Sequence, residues 1–295
     1  MAYQVGIIGA GALGLLYAGL LQPNVTLFTR TKEQARVLEK CGITVVNQGA
    51  KEYYNVQAIP STYADFTRFD IVIVTVKSYQ LDSIIDILLK IPENTPILFL
   101  QNGIGHLELL TNLLQKTILL GTCEHGASKI DATTVAWRGA GQTNWALYRG
   151  KLNESLQNAL MANPDFPFLE QADCEEMVYN KLLANAVINP LTAVLGVSNG
   201  TLLRNEYLHT LLVDLTYEVA DVLERKDALG KVTAICEATS ANFSSMAMDV
   251  REKRQTEIES ISGAIVTLAK AQGKVVPISE TLYGLIKGLE GEYLQ

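Results

Sequence analysis

Lys181, Asn185 and Asn189 stand at i, i+4 and i+8 in the run Asn180-Lys-Leu-Leu-Ala-Asn-Ala-Val-Ile-Asn-Pro190. On a helix this spacing stacks one amine and two amides along a single face. Leu182, Leu183, Val187 and Ile188 surround the row, so the helix is expected to be largely buried. Buried polar groups need partners. A wall that recognises a small polar ligand meets that need, and a polar seam satisfied by another helix would meet it too. Pro190 lacks an amide hydrogen and weakens helical bonding beside the row.

A second pattern lies near the start. Gly9-Ala10-Gly11-Ala12-Leu13-Gly14 directly follows the apolar run Gln4–Ile8 and opens a helical pattern. In that context the first glycine permits the tight turn. The second lets the backbone approach a pyrophosphate, the third allows close helix–strand packing, and the helix N-terminus attracts the anion. The next β-rich run, Val25–Thr29, ends in Arg30-Thr31-Lys32, with no acid before Glu33. An acid there would take a ribose 2′-OH; a guanidinium suits a 2′-phosphate. NADP rather than NAD is therefore expected.

Lys77 and Asn102 immediately follow the runs Asp70–Val76 and Ile97–Gln101. These are strand carboxyl ends, where open α/β sheets bind ligands. A solvated lysine, and a turn asparagine beside Gly103 and Gly105, are the plainer readings. Thr256 and Glu259 have capping-box spacing. Glu257 falls in the same first turn, where an acid is favourable, so the local pattern makes it structural. The three histidines (His106, His125, His209) have no metal-ligand spacing with each other or with cysteine. Neither HExxH nor GxSxG occurs, so no metal or serine-nucleophile chemistry is expected.

The elements that must position these residues come in two textures. Up to about residue 172, apolar strand patterns alternate with helical ones. The strands are Gln4–Ile8, Val25–Thr29, Asp70–Val76, Ile97–Gln101 and Thr117–Cys123; the helices are Leu13–Leu21, Lys32–Lys40, Leu81–Leu89 and Leu107–Leu114. This alternation predicts a doubly wound, Rossmann-type α/β sheet. Ile43–Val46 with Tyr53–Ala58, and Thr134–Trp137 with Trp145–Tyr148, read as antiparallel additions. From residue 173 to 295 the pattern is helical: Glu175–Leu195, Leu202–Leu229, Val232–Val250, Thr256–Gln272 and Glu280–Leu289. The expected architecture is a nucleotide domain over 1–172 and an all-helical substrate domain over 173–295.

Composition narrows the function. A chain of 295 residues fits about two domains of ordinary size. With 24 basic against 31 acidic residues, net −7, a general nucleic-acid or anionic-membrane surface is not expected. Cys41, Cys123, Cys174 and Cys236 are far apart, which suits a reducing cytosol. Val5–Leu21 carries no charge but contains five glycines and stops at Gln22-Pro23-Asn24, so it reads as a buried strand and helix rather than a membrane span. The chain is expected to be cytoplasmic.

These motifs together resemble the ketopantoate reductase (2-dehydropantoate 2-reductase) family, nearly end to end. The blocks are Gly9–Gly14, Val74-Thr-Val-Lys77, Gln101-Asn-Gly-Ile-Gly105, Lys181 through Thr192, Ser198-Asn-Gly200, Asn242-Phe-Ser-Ser-Met246 and Thr256-Glu-Ile258. The resemblance implies NADPH-dependent reduction of 2-dehydropantoate to (R)-pantoate, within pantothenate and coenzyme A biosynthesis. It implies that Lys181 donates the proton and that Asn185, Asn189, Asn199, Asn242 and Ser245 hold the substrate. It also implies a 2′-phosphate contact for Arg30, and cofactor-side places for Gly9, Ala10, Gly11, Ala12, Leu13, Gly14, Lys77, Asn102 and Ala127, with Asn102 also near the substrate. Glu257 matches a glutamate near the cofactor and the reacting centre, against its local reading as structural. Gln22-Pro23-Asn24 departs from a Gly-His pair common in the family. Another NADP-dependent 2-oxo-acid or β-hydroxyacid reductase on the same plan, or a non-catalytic NADP(H) sensor, would share the nucleotide loop. The helical half carries enough apolar surface to form a homodimer.

Overall fold

The structure is a computed structural model that describes residues 3–294. The chain divides into two compact units. The first runs to Gln101 and resumes over Glu108–Met177; the second comprises Asn102–Leu107 and the chain from Val178 onward.

The first unit is built from β1 (Val5–Ile8), β2 (Val25–Thr29), β3 (Ile43–Asn47), β4 (Ala50–Tyr54), β5 (Gln57–Pro60), β6 (Ile71–Val74), β7 (Ile97–Phe99), β8 (Ile118–Cys123), β9 (Gly126–Lys129), β10 (Thr134–Gly139), β11 (Thr143–Arg149) and β12 (Phe168–Glu170). The main sheet has the order β12-β11-β8-β7-β6-β1-β2-β5. From β8 through β5 all neighbours are parallel. Every residue of β1, β2, β6 and β7 is buried, as strands covered on both faces must be. The order reverses between β1 and β6, which creates the switch-point crevice of a doubly wound sheet. The helix Ala12–Leu20 leaves β1 and is buried from Gly14 to Gly19.

Two expected pairings are corrected. Tyr53–Ala58 is not one strand: β4 pairs antiparallel with β3, whereas β5 joins the main sheet parallel to β2. Nor do β10 and β11 pair with each other. β10 lies between β3 and β9 in a separate four-stranded sheet, while β11 runs antiparallel to β8. A register shift between Trp137 and Gly139 interrupts the β10–β9 ladder, which closes with Gly139 opposite Gly126. Close backbone approach of Gly141 to Glu124 then turns the chain toward the main sheet, where Trp145 is buried. Leu81–Leu89 also differs from expectation, forming a 3₁₀ turn and then the short helix Ile85–Leu88.

The second unit is helical, packed around Leu183, Val187, Leu215, Val219, Val232 and Ile265. The long helix Cys174–Leu195 continues through Pro190. The expected Val232–Val250 helix divides into Ala228–Ala238 and Ser245–Arg251, because Ser244 Oγ accepts from Ala247 N (3.1 Å) and starts a new N-terminus. The capping box at Thr256 does not form. Thr256 N and Oγ1 both donate to Glu290 Oε1 at 2.7 Å, and Glu259 instead accepts from Tyr283 Oη (2.8 Å). A buried carboxylate from a distant helix thus takes the role that local spacing assigned to Glu259. A π turn, Glu259–Gly263, follows before the helix Ala264–Gln272. Among the described residues, no helix is long and apolar enough to cross a membrane.

Candidate functional site

In the first unit the three glycines have separate physical roles. Gly9 has φ +112°, and a side chain there would meet Val76 at 2.8 Å. A Cβ on Gly14 would stand 1.7 Å from the Gly9 carbonyl oxygen, so helix and turn are in direct contact. Gly11 has open space: nothing lies within 4 Å of its Cβ position. The helix that follows has no side-chain cap and no acid in its first turn, so its N–H groups and positive dipole end remain available to an anion. Thr75 Oγ1 braces the turn from the end of β6, within donating distance of Ile8 O (3.1 Å) and Gly9 O (3.0 Å).

Arg30 follows β2, is exposed, and makes no hydrogen bond or ion pair among the described residues. Its basic neighbour Lys32 is engaged over the Tyr63 ring, 4.8 Å from the centroid. Lys77 extends beyond β6, half-buried, with its N–H donating to Gln80 Oε1 (3.1 Å). Ala127 sits in β9, packed against the core of this unit.

Two residues near the loop are absent from the sequence reading. Lys129 Nζ donates to the Ala10 carbonyl at 2.8 Å, and Gln34 Nε2 reaches the same oxygen at 3.3 Å. Burial pulls the Lys129 pKa down, with Asp131 opposing. Lys129 is two positions beyond Ala127 and so shares its strand face; that period-2 spacing was the available signal.

The second unit brings several polar residues together. Asn102 Nδ2 donates to Glu257 Oε2 (3.0 Å), and Asn102 Oδ1 accepts from Asn185 Nδ2 (3.4 Å). Glu257 is buried. Lys181 and Asn185 are half-buried and Asn189 is buried, on the helix face that their spacing predicts. Neither the Lys181 ammonium nor the Asn189 amide has a hydrogen-bond partner among the described residues. A second group gathers at the far end of this helix. Thr192 Oγ1 donates to Ser244 Oγ (2.8 Å), and Asn199 N donates to Asn242 O (2.9 Å). Asn199 is buried; its Nδ2 donates to Thr239 Oγ1 (2.8 Å), while its Oδ1 has no partner among the described residues. Asn242 and Ser245 are exposed. No cluster of His, Cys, Asp or Glu among the described residues could hold a metal ion.

A glycine turn with an open second position, an uncapped helix end and an unengaged guanidinium accommodate a dinucleotide. These features, and separately the amine and amides gathered in the helical unit, are of the kind that a nicotinamide-dependent oxidoreductase uses. The comparisons make the class specific. The family model for ketopantoate reductase PanE/ApbA matches residues 5–150, and that for its C-terminal part matches 173–290. The chain is 47% identical to the 2-dehydropantoate 2-reductase of Listeria innocua, across 98% of this chain and 97% of that protein. It superposes on the crystal structure of a probable 2-dehydropantoate 2-reductase from Bacillus subtilis with a TM-score of 0.87, 36% identity, and coverage of 97% and 100%. A D-mandelate dehydrogenase solved with NADH and anilino(oxo)acetate shares the fold, with a TM-score of 0.85 at 22% identity and 99% coverage of both chains. The chain belongs to the ketopantoate reductase family.

Proposed function

We propose that the chain catalyses 2-dehydropantoate + NADPH + H⁺ → (R)-pantoate + NADP⁺, as a cytoplasmic step toward pantothenate and coenzyme A. The observation that carries this reading is the Lys181 ammonium on one helix face with Asn185 and the buried Asn189, the Lys181 ammonium and the Asn189 side-chain amide having no hydrogen-bond partner among the described residues. A 2-oxo acid presents a carboxylate and a carbonyl, and a reductase must deliver a proton to the oxygen as the carbonyl becomes an alcohol. Lys181 polarises that oxygen and then protonates it, a general-acid role. Asn185, Asn189, Asn199, Asn242 and Ser245 supply neutral hydrogen bonds to the carboxylate and hydroxyl. Glu257 and Asn102 stand beside the reacting centre as one hydrogen-bonded pair. NADPH would supply the hydride, held by Gly9–Gly14, Lys77, Asn102 and Ala127, with its 2′-phosphate on Arg30. A homodimer is part of the same reading; the structure of a dimeric ketopantoate reductase from Staphylococcus aureus has this fold, with a TM-score of 0.81 at 23% identity.

Steady-state NADPH oxidation across a panel of aliphatic and aryl 2-oxo acids tests the proposal. The expected result is the highest kcat/KM for 2-dehydropantoate and a clear preference for NADPH over NADH. Arg30→Ala should erase most of that preference, since a hydrogen bond to a charged group contributes about 1.5–3 kcal/mol. A wild-type enzyme that prefers another 2-oxo acid overturns the substrate. Equal affinity for the two nucleotides overturns the cofactor assignment. NADPH binding without turnover of any acid would identify a sensor.

A further inference from the structure

The pairing of Asn102 with Glu257 depends on a backbone contact beside it. Gly103 has φ +78°, in the left-handed region that favours glycine. A Cβ at this position would stand 1.9 Å from the carbonyl oxygen of Ser260 and 3.0 Å from its Cβ. The next residue donates to the same carbonyl, Ile104 N to Ser260 O at 3.2 Å. Two main chains therefore touch where only glycine fits. Each carries one member of the polar pair: Asn102 immediately precedes Gly103, and Glu257 lies one helical turn before Ser260. Ser260 Oγ also donates to the Glu257 carbonyl at 3.1 Å, tying that turn to the seat. The contact falls inside the π turn Glu259–Gly263, an irregularity of the kind found as single turns at functional sites.

We propose that Gly103 and Ser260 form a backbone seat that sets the distance between Asn102 and Glu257, which makes Gly103 a positioning residue for the reduction. This rests on the reading of Asn102 and Glu257 as site residues. The magnitudes support it. Relieving a 1.9 Å contact to ordinary separation moves the loop by more than about 1 Å. That is enough to break a 3.0 Å hydrogen bond on the adjacent residue. A displacement of that size near reacting groups costs on the order of 10²-fold in rate.

The test is a double-mutant cycle on kcat and KM, with thermal melting as the folding control. Gly103→Ala should lower kcat roughly 10- to 100-fold. Gly105→Ala, whose Cβ would make an ordinary 3.5 Å contact with the same Ser260, should behave as wild type. Asn102→Ala should lower kcat, and Asn102→Ala/Gly103→Ala should be no worse than the poorer single variant, because no amide remains to be placed. If Gly103→Ala does not fold, Ser260→Ala removes the Oγ bond without added bulk. Its expected loss of a few-fold in kcat should vanish in the Asn102→Ala background. Independent, multiplicative losses, or normal kcat in a folded Gly103→Ala, overturn the seat while leaving the site reading intact. Normal kcat in Asn102→Ala removes the reading of Asn102, and the proposal with it.

Discussion

Lys181 is the residue on which the proposed chemistry turns, and its surroundings state what a substitution should do. Its neighbours Leu182 and Leu183 carry the core packing, while its own ammonium holds no described residue in place. Lys181→Ala should therefore melt like wild type and bind NADPH normally, yet lose about 10² or more in kcat, the usual scale for a general acid. Loss of the basic limb from the kcat–pH profile would identify proton donation, whereas an effect confined to KM would identify carboxylate binding. Near-normal kcat at saturating 2-dehydropantoate would assign the proton to another group. This face was legible in the sequence because i, i+4, i+8 spacing is local. Glu257 was not legible from local spacing, since its first-turn position reads as a favourable helix end; only the family resemblance singled it out. The Asn102 contact joins residues 155 positions apart, which no local pattern records.

Among the elements, the glycine turn and its helix separate packing from binding. Alanine ordinarily stabilises a helix relative to glycine by about 1 kcal/mol. Gly14→Ala should do the reverse, because its Cβ would collide with the Gly9 carbonyl at 1.7 Å. Its melting temperature without ligand should fall. Gly11→Ala meets no protein atom within 4 Å, so its unliganded melting temperature should stay at the wild-type value while its affinity for NADPH drops. The opposite pattern, with Gly11→Ala unstable and Gly14→Ala silent, would contradict the assignment of roles. The capping box at Thr256 shows where element-level reading stops. The spacing is correct, but the buried Glu290 carboxylate from another helix provides two acceptor contacts and leaves Glu259 to Tyr283.

For the whole molecule, acid stability follows from two buried histidines, one in each unit. Burial lowers His125 to about 4; it also lowers His106 to about 4, against a smaller opposing effect of the Glu257 carboxylate. Unfolded histidines titrate near 6.5. Between about 4 and 6.5 the unfolded chain thus binds more protons than the folded one, so stability rises with pH across that window. It is complete above 6.5 and is lost as pH falls, by up to about 1.4 kcal/mol per pH unit for each histidine. The third histidine, His209, is exposed. The melting temperature should therefore drop between pH 7 and pH 5, before most carboxylates titrate. A flat profile over that interval would show that neither ring is held neutral by burial.

The alternation of buried strands and helices, the order of the two textures, the glycine turn and the Lys181 face all follow from short-range periodicity. Backbone geometry repeats every two or 3.6 residues, so residue types at those spacings report which side of an element is buried. Periodicity does not say which strand edges meet. The sequence therefore left open that β5 would extend the main sheet, that β10 would pair with β3 rather than β11, and that Asn102–Leu107 would cluster with the helical unit. Tertiary structure decided these because open strand edges, buried carboxylates and a glycine backbone can each be satisfied by several distant partners. Close packing selects among them only when the whole chain is in place. The contact between Gly103 and Ser260 is such a choice: two residues 157 positions apart, which no local pattern links, become on folding a point where one methyl group does not fit.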